Sequence, residues 1–331
     1  MVKRRIEWFE AKSTLECVVC DKDIEVGDHY CLNDTGDPMH YYVTALRLLQ
    51  NQTRRRSKPI PRRAEGATME KKSYVVSESG VKVFSKYQDN ISIDKNSPIL
   101  KKKAEYPREK YTKGKVKGLS RLGSENSEDA RSWNLLRTLQ LQSDMQKYYG
   151  LIRVQDNLQN LLFWGLDPET GEFDGVLKSI LDEIEPPHLW KVQQTEPDVI
   201  VIGQTTVVFN ECKLGTPGAN IDAWNRKEPF TGKHELYKRR ALSFFRQPFI
   251  DNFEAEARRF YQLMRNYIIG EHFANRLGKA FHLVAIASAQ NKARSGLPHE
   301  EEFNKFRSYL FDSSRCHFLT WEQLEGGGGH P

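Results

Sequence analysis

No stretch of the 331 residues approaches the roughly 18 consecutive apolar residues that a membrane-crossing helix needs. The opening MVKRRIEWFEAK carries charge with no apolar run behind it, so no secretory leader is expected. Cysteine is scarce, and its five copies are an odd number. That excludes a disulfide scaffold and fits a reducing compartment, so a cytoplasmic location is expected. The chain has no GxxxxGK[ST] phosphate loop, no GxSxG elbow and no Cys/His nucleophile arrangement, which removes nucleotide-driven translocation and serine- or cysteine-based acyl chemistry. No internal repeat is apparent. Apolar residues make up 38%, low but enough for a core. The length suits one sizeable domain with an accessory module.

What the chain does have is charge, unevenly placed. The net +6 conceals residues 44–123, which hold 21 basic against 7 acidic side chains. Residues 1–43 and 124–331 are each acidic by four charges. A basic segment of this kind is an electrostatic footprint for a polyanion, and its interleaved Tyr74, Phe84, Tyr87, Tyr106 and Tyr111 offer rings for base stacking. No amphipathic helix accompanies the charge, which argues against a membrane surface.

Three regions follow. Residues 1–50 carry turn signals at Gly27-Asp28 and Asp34-Thr35-Gly36-Asp37, which predict a small β-hairpin. Residues 51–123, with Pro59, Pro61, Pro98 and Pro107, read as a basic, flexible linker with a short hairpin turning at Ser79-Gly80. Residues 124–331 read as an α/β domain. A helix is predicted over SEDARSWNLLRTLQLQSDMQKYY, then an irregular stretch and a short helix over 176–184. Strands PDVIVIG and TTVVFNECKLG join at Gly203-Gln204, and helix NFEAEARRFYQLMRNYIIG, strand AFHLVAIAS, helix EEFNKFRSYL and the strand or strand–turn CHFLTWEQL complete the domain. The order predicts a mixed sheet flanked by helices.

The chemistry-bearing pattern lies on the paired strands. Pro197-Asp198 is followed, after twelve residues, by Glu211-Cys212-Lys213. Alternation along a strand points Glu211 and Lys213 the same way and Cys212 the other. In a hairpin, Asp198 lies beside Glu211, so two carboxylates and a lysine converge at one sheet edge. Carboxylates offer hard oxygen ligands to Mg²⁺, and a lysine beside them can position water or stabilise developing negative charge. A plain solvated salt bridge fits poorly, because DVIVI and VVF around these residues are strongly apolar.

At these residues, and over roughly 124–324, the chain resembles the PD-(D/E)XK nuclease superfamily. The resemblance implies a restriction-endonuclease-like sheet and metal-dependent hydrolysis of phosphodiester bonds in DNA. It implies that Asp198, Glu211 and the carbonyl of Cys212 hold Mg²⁺ or Mn²⁺, while Lys213 orients the attacking water. Members often complete the metal site with an acidic residue on the preceding helix. Here that is Glu128, on one helical face with Leu135 and Leu139, with Glu125 or Asp129 as substitutes. A Gln and Tyr four apart, found in some relatives, are not matched, since Tyr267 follows Gln262 by five. HFLTWEQL and WNLLRTL point toward a restriction-like subgroup. Cutting both strands implies two active sites and a homodimer on the substrate. The competing class is a non-enzymatic nucleic-acid-binding protein that keeps the fold.

The second pattern is Cys17-Val18-Val19-Cys20, which resembles the zinc knuckle of treble-clef fingers, with His40 at the right distance for a third ligand. The usual fourth position, three residues after His40, is Val43, so Cys31 or His29 must supply the fourth, Cys31 being preferred as a thiolate. A structural Zn²⁺ would staple a region too small for a good core. The alternative is a finger that folds without metal. Cys212 and Cys316 read as core thiols. After the second strand, NRKEPFTGKHELYKRR reads as a substrate-contact loop, with Arg226, Lys227, Lys233, His234 and Lys238 to Arg240 as its charged residues.

Overall fold

The computed structural model describes residues 30–32, 38–40, 72–77, 80–105, 118–186, 196–214, 220–221, 232–293 and 296–326. The chain divides into two compact units, Met1–Lys71 and Lys72–Pro331. In the first unit the expected hairpin is present: β1 (Tyr30–Leu32) pairs antiparallel with β2 (Pro38–His40). Cys31 stands opposite Met39 and His40 opposite Tyr30, so Cys31 and His40 occupy alternating register positions rather than facing ones. The other zinc candidates, Cys17, Cys20 and His29, lie outside the described residues.

The second unit opens with the hairpin β3 (Tyr74–Val76) and β4 (Lys82–Phe84). Helix α1 (Pro98–Ala104) follows, with proline at its first turn, where the missing N–H costs nothing. This helix buries Ile99, Leu100 and Ala104 in the core beneath the sheet. Part of the expected linker is therefore a folded element. Its prolines and lysines dominate the composition, but three apolar positions on one helical face determine its structure.

The rest alternates helices and strands. Helix α2 (Glu128–Ser132), capped by the Ser127 side chain, runs into a π-helical turn (Trp133–Arg137), then α3 (Thr138–Leu141) and α4 (Met145–Leu151). Next come β5 (Leu158–Phe163), α5 (Gly175–Ile184), β6 (Val199–Gly203), β7 (Thr206–Lys213) and β8 (Asn220–Ile221). Helices α6 (Gly232–Ala241), α7 (Gln247–Asp251), α8 (Phe253–Arg259) and α9 (Tyr261–Leu277) lead to β9 (Ala280–Ala287) and β10 (Lys292–Ala293). The last described elements are α10 (His299–Ser308), β11 (Cys316–Thr320) and α11 (Trp321–Leu324), the last closed by a Thr320/Gln323 capping box.

Five strands form the main sheet in the order β11-β9-β7-β6-β5, with β5, β6 and β7 antiparallel and β7, β9 and β11 parallel. The mixed sheet flanked by helices is the architecture the element order predicted. β7 is central and buried along its whole length. Its Val207 and Phe209 face one core with α5 and α9, while Val208 and Cys212 face the other with α1, α2 and α4. Three details differ from the sequence reading. β5 falls in the stretch expected to be irregular, because Gln159 and Asn160 interrupt its apolar pattern and it lies at the sheet edge. Part of the expected basic loop is the helix α6. The single long helix expected after it is two, broken at Phe260. Among the described residues no helix is long and apolar enough to cross a membrane.

Candidate active site

The hairpin of β6 and β7 sets the geometry. Val199 pairs with Asn210, which brings Asp198, just before β6, alongside the C-terminal end of β7. There the Asp198 carboxylate accepts the Cys212 backbone N–H at 2.8 Å, and its own carbonyl accepts the Trp164 N–H at 3.1 Å. Glu211 is 1% exposed, yet both of its oxygens are engaged. Lys213 Nζ donates to Oε1 at 2.5 Å and Asn266 Nδ2 to Oε2 at 2.6 Å. In mixed sheets the ends of parallel strands, where side chains leave the packed core, are where ligand-handling groups collect.

Glu128 arrives from the other layer. Ser127 caps α2 by accepting the Ala130 N–H, which places Glu128 in the first turn. Its Oε1 accepts the Leu214 N–H at 3.0 Å, and its Oε2 lies 4.0 Å from Lys213 Nζ. The two substitutes are otherwise occupied. Asp129 accepts the Trp164 indole N–H at 2.8 Å, and Glu125 accepts the Lys82 N–H on the β4 hairpin. Asp198, Glu211, Lys213 and Glu128 are thus brought together, while the Cys212 thiol lies in the core with its proton held on by burial and by the Asp198 charge.

The electrostatics follow from burial. Burial raises the Asp198 carboxyl well above the usual carboxylate range, with Glu211 adding to the rise and Lys213 opposing it. Burial raises Glu128 as well, against the pull of Lys213. For Lys213 burial alone would favour the neutral amine, but Glu211, Glu128 and Asp198 outweigh it and lift the ammonium above its ordinary value. Lys213 is therefore a fixed cation at neutral pH.

Surrounding groups hold this cluster in place. The Trp321 indole N–H donates to the Lys213 carbonyl at 2.8 Å, so the WEQL turn anchors the end of β7. Lys103 of α1 pairs with Glu196 at 2.8 Å and lies 4.7 Å over the Trp164 ring. Burial disfavours the Lys103 charge, but Asp129, Glu196 and Asp198 raise it. Trp164 has φ of 55°, a left-handed conformation rare for a bulky residue and typical of constrained positions at functional sites. The sequence reading did not find Lys103, Trp164, Asn266, Arg265 or Trp321 as members of this cluster. Of the expected loop cations, Lys238 lies 5.9 Å over the Phe253 ring and Arg240 donates to the Glu183 carbonyl. Both belong to α6, while Arg226, Lys227 and the side chains of Lys233 and His234 are outside the described residues.

The donor chemistry fits a hard divalent cation: Asp198, Glu211 and Glu128 bring carboxyl oxygens to one buried end of the sheet, and a bound cation would favour the ionised forms of Asp198 and Glu128 that burial disfavours. Asp198 and Glu211 are the residues able to hold it. Among the described residues no group of three or more His, Cys, Asp or Glu side chains is already gathered in metal-binding geometry, and the Lys213 ammonium occupies Glu211 Oε1. No protein-family model, curated protein or solved structure matches the chain.

Proposed function

We propose that the chain is a metal-dependent endonuclease acting on DNA, with a PD-(D/E)XK-like catalytic site at the end of β7. The observation that carries this reading is the convergence of Asp198, Glu211, Glu128 and Lys213 on one buried sheet edge. Mg²⁺ or Mn²⁺, when bound by Asp198 and Glu211 with the Cys212 carbonyl, supplies an acidified water and neutralises charge growing on the phosphate. Lys213, held as an ammonium, orients the attacking water and stabilises the phosphate oxygens rather than taking a proton. Glu128 restrains Lys213 and the Leu214 backbone from the opposite layer. The lysines of α1 supply contacts to the phosphate backbone beside the site. Cleavage of both strands calls for two copies on one substrate. In the first unit, Cys17, Cys20, Cys31 or His29, and His40 are the ligands proposed for a structural zinc.

The test is incubation of the pure protein with plasmid DNA and Mg²⁺, with EDTA and Lys213→Ala as controls. Cleavage that requires the metal and falls by at least about a hundredfold in the variant is expected, the scale on which loss of one charge-stabilising group acts. No metal-dependent cleavage of DNA or RNA by the wild type, with binding retained, would replace the enzyme with a non-catalytic binding protein.

A further inference from the structure

Glu211 is held by more than Lys213. Asn266, fully buried on α9, donates its amide to Glu211 Oε2, and its own Oδ1 accepts Nη2 of Arg265 at 3.2 Å. Arg265 is itself buried, lies 5.8 Å over the Tyr261 ring, and its Nε has no hydrogen-bond partner. An amide between a carboxylate and a guanidinium has one workable orientation, with nitrogen toward the carboxylate and oxygen toward the cation. Reversal would set oxygen against oxygen and N–H against N–H. The charge on each side therefore fixes which atom of Asn266 faces Glu211. A buried polar side chain in such a chain has no energetic reason to be there unless the groups it satisfies must stay polar.

We infer that Asn266, oriented by Arg265, is a positioning residue that fixes Glu211 for cation binding. The inference rests on the nuclease reading and assigns α9 a part in it. Asn266 holds Oε2 while Lys213 holds Oε1, so the carboxylate is restrained at both oxygens. Partners that orient a metal ligand from behind typically contribute 10–100-fold in metal affinity or activity.

The deciding variant is Asn266→Asp, which keeps shape and the acceptor for Arg265 but removes the donor to Glu211. Mg²⁺ affinity is read by calorimetry on the DNA-free full chain, and kcat and KM for a DNA duplex are read alongside. Asn266→Asp is expected to weaken Mg²⁺ about tenfold or more and to lower kcat, with KM for DNA within about twofold of wild type. In a Glu211→Gln background the same substitution is expected to change Mg²⁺ affinity by less than twofold, because the carboxylate it serves is gone. Wild-type affinity and kcat in Asn266→Asp, or an equal loss in the Glu211→Gln background, overturns the inference while leaving the nuclease reading intact. A wild-type protein that takes up no Mg²⁺ overturns both. If Asn266→Asp does not fold, Asn266→Ala, which likewise removes the donor to Glu211, reads the same quantities. Unfolding of both assigns Asn266 to fold maintenance alone and overturns the inference.

Discussion

Asp198 shows most clearly how this fold trades stability for a charged site. Its folded-state pKa is raised, by burial first and Glu211 second, so the native state disfavours its ionised form. The penalty is therefore full above the raised folded value and fades as pH falls from there to the ordinary carboxylate pKa of about 3.8. Asp198→Asn keeps an oxygen to accept the Cys212 N–H and removes the charge. It is expected to abolish cleavage and raise the melting temperature by roughly 2–4 °C per kcal/mol recovered, with about 1 kcal/mol anticipated. The gain should shrink as the melts are repeated at lower pH or with Mg²⁺. A variant that melts at or below the wild-type temperature at pH 7 refutes this account of Asp198. Lys213 is the opposite case. Removing its ammonium leaves Glu211 buried beside Asp198 with no cation on Oε1, so Lys213→Ala is expected to lose stability as well as activity.

At the level of elements, what the sequence revealed depended on how local the signal was. The β6–β7 hairpin was legible because VIVIG and TVVF are unbroken apolar runs with a tight turn between them. Glu128 was legible because a cap-like start and helical spacing fix its face. Asn266 was not, since it meets Glu211 across 55 residues, and an Asn in a helix is ordinarily a solvated position. Lys103 was hidden among a run of lysines, and β5 by its polar edge. The packing that sets Asn266 yields its own prediction. Gly270, one turn further along α9, faces β9, where an added Cβ would stand 2.0 Å from the Phe281 ring. Gly270→Ala must therefore displace the Phe281 ring or lift α9 from the sheet, and a lifted α9 takes Asn266 with it. A loss of about 1–3 kcal/mol in chemical denaturation is expected, together with reduced cleavage. Phe281→Leu, which shortens the obstructing ring, should return part of both. No loss in Gly270→Ala would mean that α9 does not depend on this close approach.

Across the whole molecule, the charge that first stood out is divided between the two units. Within residues 72–123 there are 13 basic and 5 acidic side chains, and α1 carries three of the lysines. Burial of Ile99, Leu100 and Ala104 leaves Lys101 and Lys102 exposed on the same helix that brings Lys103 near Asp198 and Asp129. If the site acts on DNA as proposed, the carboxylate cluster by itself offers a phosphate backbone no attraction, and this positive ridge would supply it. Screening makes that attraction strongly salt-dependent. Replacing Lys101 and Lys102 together by Ala touches neither the core nor the carboxylate cluster. If each contacts one phosphate, the slope of log affinity against log salt should fall by about 2, near 0.9 per lost contact. Fluorescence anisotropy with a labelled duplex between about 50 and 200 mM salt reads this directly. In the same variant KM for DNA is expected to rise while kcat holds, because the groups that act on the phosphate are untouched. An unchanged slope would remove α1 from the path of the DNA and leave the charge of residues 44–71 to carry the attraction.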